Sequence, residues 1–203
     1  MSAYAPPDLF TDLELPDHTG RPRTLSQLAG GDPVVLVFSR GWWCPKEQRY
    51  FRGLVRLQDE FEVAYSRVVA VSVDPPEVQS AFRVGLGARF TFLSDHERHY
   101  LDELGLRETT DTVHHPYRPA AFMLYPDLRV HAAYNGYWYW GRPSNEELRR
   151  DLRDLTRKIR PDWDLAGAEL REAWARGEKE RFWPYGKTLR QVFAESSPDR
   201  GGE

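Results

Sequence analysis

Cysteine is nearly absent from this chain: among 203 residues only Cys44 carries a thiol. One cysteine excludes an intrachain disulfide and fits a reducing compartment. Long apolar runs are absent too. None approaches the ~20 residues that a membrane-spanning helix needs, and the first residues lack the apolar core of a secretion signal. The chain is therefore expected to be soluble and cytoplasmic, with no membrane partner. Excess positive charge is also missing. The 28 Lys and Arg against 31 Asp and Glu leave a net charge of −3, which argues against a nucleic-acid partner. No internal repeat is visible. Aromatic side chains, by contrast, are abundant, at 13% of residues with seven Trp. A chain of this length can bury roughly 70% of its unfolded surface around one core.

The chain is organised around residues 34–51, VVLVFSRGWWCPKEQRYF. Val34 to Phe38 is a continuous apolar run, the pattern of a strand buried on both faces. Ser39-Arg40-Gly41 breaks it. Pro45 suits the first helical position, which puts Cys44 at the N-cap, and Glu47 three residues on suggests a capping box. Tyr50, Phe51, Leu54, Leu57 and Phe61 then recur at helical spacing. The free N–H groups and positive dipole end of a helix N-terminus favour an anion. A thiolate is such an anion and is the reactive form of cysteine, with Arg40 and Lys46 adding positive charge nearby. The alternative reading is a buried, inert thiol.

Val68 to Val73 reads as a second buried strand, so strand, helix and strand form a parallel, right-handed βαβ unit. In open α/β sheets ligands bind beyond the carboxyl ends of strands, where Cys44 stands. A helix follows over 74–84, ended by Gly85 and Gly87. Next come a strand over 90–93 and, after Ser94-Asp95, a helix that stops at Gly105 and carries His96 and His99. Those two histidines lack a third ligand, so no metal is expected. The polar loop 107–117, whose His114 and His115 could ligate a metal or act as an acid–base group but read first as plain loop histidines, leads to a hairpin of strands 120–125 and 129–134. Leu13 and Leu15 suggest a short edge strand, Thr24 to Leu28 one helical turn, and His18 a solvated turn residue. Tyr137 to Gly141 is a dense aromatic run, expected in the core or over a sheet edge ahead of a ligand wall. Ser144 to Glu147 is a capping box opening a helix with Leu148, Leu152, Leu155 and Ile159 on one face. The fold class is α/β, a central mixed sheet flanked by helices. The compact domain spans residues 1–164. Residues 165–203 form a charged, helical tail whose end, 196–203, reads as disordered. Its Trp174, Phe182, Trp183 and Tyr185 are expected to dock on the domain or to meet a second subunit, so a homodimer stays open.

Five segments in order, between Leu9 and Arg160, resemble the peroxiredoxin-like AhpC/TSA family, which has a thioredoxin-like fold. They are the entry from Phe10 through Leu15-Pro16-Asp17 to Thr24-Leu25-Ser26, then the 34–38 strand, Cys44-Pro45-Lys46-Glu47, Phe92-Leu93-Ser94-Asp95, and Arg118-Pro119-Ala120-Ala121-Phe122. The resemblance implies that Cys44 is a peroxidatic cysteine and Arg118 the active-site arginine. Arg40, Gly41, Trp43 and Glu47 then line the substrate pocket, and the Arg118–Pro119 bond is cis. Family members usually carry Thr or Ser three residues before the cysteine; here Gly41 stands there, and Gly41→Thr would then restore a missing hydroxyl. No second cysteine exists to resolve an oxidised Cys44.

The implied activity is a thiol-dependent peroxidase with one reacting cysteine. Its substrate is a hydroperoxide, an external thiol resolves the sulfenic acid, and no cofactor is needed. Two alternatives stay open: another cysteine-dependent enzyme on the same scaffold, and a non-enzymatic redox-sensing or binding protein.

Overall fold

A computed structural model describes residues 4–137, 140–163, 167–182 and 190. A short hairpin of β1 (Glu14–Pro16) and β2 (Pro22–Thr24) leads into α1 (Leu25–Ala29), whose start is fixed by a capping box between Thr24 and Gln27. The main elements follow as β3 (Val34–Phe38), α2 (Pro45–Val63), β4 (Arg67–Ser72), α3 (Pro76–Leu86), β5 (Thr91–Ser94), α4 (Tyr100–Glu103), β6 (Ala120–Leu124), β7 (Val130–Asn135) and α5 (Asn145–Ile159). The five-stranded sheet has the order β5-β4-β3-β6-β7. β3 lies at its centre, parallel to β4 with Leu36 opposite Val69, and antiparallel to β6 with Leu36 opposite Phe122. All five β3 residues are buried, which is why the run carries no alternation.

Each face of the sheet has its own aromatic cluster. Phe51 of α2 packs on Phe82 of α3 at 5.7 Å and on Phe92 of β5 at 5.3 Å between ring centroids. Elsewhere in the core Phe38 meets Tyr117 at 5.0 Å, and Phe10 meets Phe122 at 4.9 Å. Burial of each such ring contributes on the order of 1.5–3 kcal/mol. These contacts hold α2 against the sheet and thereby fix its first turn, where Cys44 sits.

Several local expectations are corrected. The leading strand pairs in a two-stranded sheet of its own, which the Asp17–Leu93 bridge ties to β5. His18 is half-buried: its N–H donates to the Phe92 carbonyl at 2.8 Å, and burial, then Arg83, push its imidazole below the ordinary value. The helix carrying His96 and His99 shrinks to Tyr100–Glu103, because Arg98 takes a left-handed φ of 62° and the Asp95 carboxylate accepts the His99 N–H at 2.8 Å. α3 runs through Gly85 and ends at Gly87, φ 68°. Of the aromatic run, Tyr137 and Trp140 are exposed and so pack in no core, while Trp138 and Tyr139 lie outside the described residues. Arg118–Pro119 is trans; the extended bridge from Arg107 to Tyr117 feeds the chain directly into β6, where Ala120 pairs with Phe38.

The chain falls into two compact units, Met1–Leu155 and Thr156–Glu203. In the second, α6 (Ala168–Ala175) precedes a 3-10 turn, and Trp174 meets Phe182 edge-on at 5.1 Å. Trp183, Tyr185 and the segment 196–203 lie outside the described residues. No described helix is long and apolar enough to cross a membrane.

Candidate active site

β3 delivers the chain to the top of the sheet, and the Ser39 N–H still bonds the Val71 carbonyl at 2.9 Å. Residues 41–44 then close a turn, with the Cys44 N–H donating to the Gly41 carbonyl at 3.2 Å. Gly41 has φ +127°, a conformation that side chains rarely adopt. Cys44 is the N-cap of α2 with extended backbone, φ −80° and ψ 118°, and Pro45 follows at N1. Its side chain makes no capping hydrogen bond. The residue is only 3% exposed and stands at the helix end whose first amides have no intrahelical partner.

Glu47 does not close a capping box. It is fully buried and accepts the Arg40 N–H at 3.2 Å and the Arg142 Nε–H at 3.1 Å, with a second, shorter bond from Arg142 Nη2. The carboxylate ties the loop before Cys44 to the segment that leads into α5. A Cβ on Gly141 would stand 1.9 Å from the Pro119 carbonyl oxygen, so only glycine lets Arg142 come in beside Glu47. Tyr50, one turn further along α2, has a buried hydroxyl without a partner, and burial, then Glu47, raise its pKa.

Arg40 lies with its guanidinium 4.9 Å from the Trp43 ring centroid and donates to Asp111 at 2.7 Å. Trp43 stacks on His114 at 3.7 Å. Asp111 also accepts the Val113 and His114 N–H groups at 3.1 and 2.9 Å, so the 107–117 loop is pinned over Arg40 and Trp43. The His114 N–H foremost, with Arg40 among the further donors, lowers the Asp111 carboxyl to about 2 from 3.8. A folded-state value below the unfolded one stabilises the loop above about pH 3.8, and that stabilisation disappears as pH falls toward 2. Amide protection at Val113 and His114 is expected to be lost across that window, and Asp111→Asn should lack the transition; unchanged protection at pH 2 would exclude Asp111 as the anchor.

Arg118 sits just before β6, at the sheet end from which residues 39–44 depart. Its Nη2 donates to the Gly105 carbonyl at 2.8 Å, its guanidinium lies 6.0 Å from the Tyr137 ring, and its Nε is buried without a partner. Of the six residues singled out in the sequence, Arg40, Gly41, Trp43, Cys44 and Glu47 converge on one loop and helix start. Arg118 stands at the same sheet end, with contacts to Gly105 and Tyr137.

Three residues of the site carry no signal of that role in the sequence, Asp74, Asp111 and Arg142, while His114 reads first as a plain loop histidine. Asp74 is buried, its Oδ2 accepting the Trp42 N–H at 3.0 Å and the Ser72 hydroxyl at 2.8 Å. A Cβ on Gly41 would stand 3.0 Å from both Asp74 carboxyl oxygens and 2.9 Å from Trp43 Nε1. Gly41→Thr is therefore expected to lower the melting temperature and slow reactions of Cys44, contrary to the gain that a restored hydroxyl suggests. A threonine variant faster than wild type, with unchanged melting, would refute the clash.

The AhpC/TSA family model matches residues 6–133. A Mycobacterium tuberculosis protein named as a peroxiredoxin is 32% identical over 126 residues, covering 61% of this chain and 80% of its own length. The crystal structure of the peroxidoxin BcpB from the same organism superposes with a TM-score of 0.63 at 26% identity, covering 73% of this chain and 94% of BcpB. Reduced Prx3 from Vibrio vulnificus in complex with hydrogen peroxide superposes with a TM-score of 0.65 at 19% identity, covering 74% of this chain and 96% of Prx3.

Proposed function

The chain belongs to the AhpC/TSA family and has its thioredoxin-like fold, and from that premise we propose that it is a thiol-dependent peroxidase whose one reacting group is Cys44. The observation that carries the reading is the place of Cys44, the N-cap of α2 directly before Pro45, with a side chain that makes no capping hydrogen bond. In the proposed reaction the thiolate attacks the terminal oxygen of a hydroperoxide. An S–O bond forms, the O–O bond breaks, and the departing alkoxide takes a proton from water to leave as an alcohol. Cys44 is then a sulfenic acid. With no second cysteine in the chain, an external thiol attacks that sulfur and releases water, and a second thiol reduces the mixed disulfide.

Arg118 and Arg40 are assigned to hold positive potential over the thiolate and the developing alkoxide, from a sheet end and a loop that both adjoin the helix start. Trp43 and Glu47 are assigned to shape the pocket wall, and Gly41 to give the loop its close turn. The chemistry is assigned to residues 1–164, with no part taken by the 165–203 tail.

One equivalent of hydrogen peroxide tests the reading. Intact mass should increase by one oxygen, dimedone should trap the product at Cys44, and consumption should become catalytic only with added thiol. Excess peroxide should add a second oxygen. A protein whose Cys44 stays unmodified while a free thiol in the same tube is oxidised would overturn it.

A further inference from the structure

The turn before Cys44 holds a carboxyl where a side chain at position 41 would be. Both Asp74 oxygens lie 3.0 Å from the place a Gly41 Cβ would occupy, and Gly41 closes the turn on the Cys44 N–H. The two oxygens are not equivalent. Oδ2 is saturated by the Trp42 N–H and the Ser72 hydroxyl, and Ser72 is itself fixed by Gln79 Nε2 at 2.9 Å. Among the described residues no hydrogen bond reaches Oδ1. The group sits on a rigid mount: Asp74 is 8% exposed, and its own carbonyl accepts the Ser94 hydroxyl at 2.7 Å.

We propose that Asp74 is a substrate-orienting residue, its Oδ1 accepting the O–H of a hydroperoxide and aiming the terminal oxygen at Cys44. The inference rests on the peroxidase reading above. A hydroperoxide carries one O–H, on the oxygen the thiolate attacks. An acceptor fixed in the turn that leads to the nucleophile selects the orientation in which that oxygen, and not the alkyl-bearing one, faces sulfur. Burial raises the Asp74 carboxyl above its ordinary range, and a poorly solvated oxygen is the better acceptor. The glycine is then part of the same arrangement, since any side chain at 41 would displace the carboxyl.

Asp74→Asn separates orientation from structure. The amide oxygen takes over the bonds from Trp42 and Ser72, because an NH2 group there would face two donors. The NH2 then stands in place of Oδ1, a donor where an acceptor was. Two rates are read on each protein: oxidation of Cys44 by tert-butyl hydroperoxide, whose single O–H marks the oxygen to be attacked, and its alkylation by iodoacetamide, which has no peroxide O–H to orient. The ratio of oxidation to alkylation is expected to fall about tenfold in the variant, a change of one hydrogen bond in the transition state. An unchanged ratio overturns the inference, whether both rates hold or both fall together, because a purely structural Asp74 moves the two alike. A wild-type protein inert to peroxide overturns the peroxidase reading itself, and this inference with it. A reactive wild type with an unchanged ratio in the variant overturns the inference alone.

Discussion

Arg142→Ala is expected to cost about 3–5 kcal/mol of folding stability, the usual loss when one partner of a buried ion pair is removed. Glu47 is fully buried, and the Arg142 side chain is 7% exposed. Without the guanidinium the carboxylate keeps the Arg40 N–H alone. Against a total stability of ~5–15 kcal/mol, that loss is a large fraction of what holds the domain together. Urea denaturation should show the midpoint fall with little change in slope. The damage should also reach Cys44. Glu47 belongs to the first turn of α2 and bonds the residue just before Gly41, so a displaced Glu47 loosens both sides of the cysteine. The double variant Glu47→Met, Arg142→Met should regain most of the stability, since a buried pair can be exchanged for apolar side chains at little net cost. It should not regain the Cys44 reactivity, because the tie to the Arg40 N–H is gone. Single variants within 1 kcal/mol of wild type would show the pair to be hydrated in solution.

What could be read from the sequence follows the range of the interactions. The β3 run, Pro45 at the first helical position and the capping box at Ser144 are encoded within a few neighbouring residues, and each forms where the pattern puts it. The mixed sheet follows from them, because apolar runs alternating with helices leave few ways to bury both faces. The partners of the site residues are encoded nowhere locally. Glu47 finds Arg142 at a separation of 95 residues, Arg40 finds Asp111 at 71, and Trp42 finds Asp74 at 32. Glu47 three residues after an N-cap looked like a local cap, and the long-range arginine won because a buried carboxylate needs a cation more than a helix needs a capping box. Arg118-Pro119 shows the opposite failure: a short match carried an expected backbone state with it, and the extended bridge from Arg107 to Tyr117 feeds β6 through a trans bond.

Cys44→Ser is expected to abolish peroxide reduction while leaving the protein as stable as wild type or more so. The two effects share one origin. Cysteine is a poor N-cap, and here it makes no capping bond, so the first amides of α2 are left to other partners. Serine is among the preferred N-caps, where its hydroxyl accepts an N–H from the second or third helical residue. With Cys44 already in extended backbone at φ −80° and ψ 118°, the hydroxyl can make that bond without a change of conformation. The gain should be on the order of 0.5–1 kcal/mol, somewhat below the usual N-cap range of about 0.5–2 because the site is buried. A hydroxyl has no accessible anion at neutral pH, so the attack on oxygen has no nucleophile and oxidation should fall below detection. In the proposed reaction the amides that would cap serine are those that stabilise the thiolate, so a weaker helix start would be the counterpart of a reactive one. Thermal melting and peroxide consumption on the same two samples decide it. A serine variant that melts several degrees lower would mean that Cys44 is a packing residue whose sulfur the core requires, and one that still consumes peroxide would move the chemistry away from Cys44.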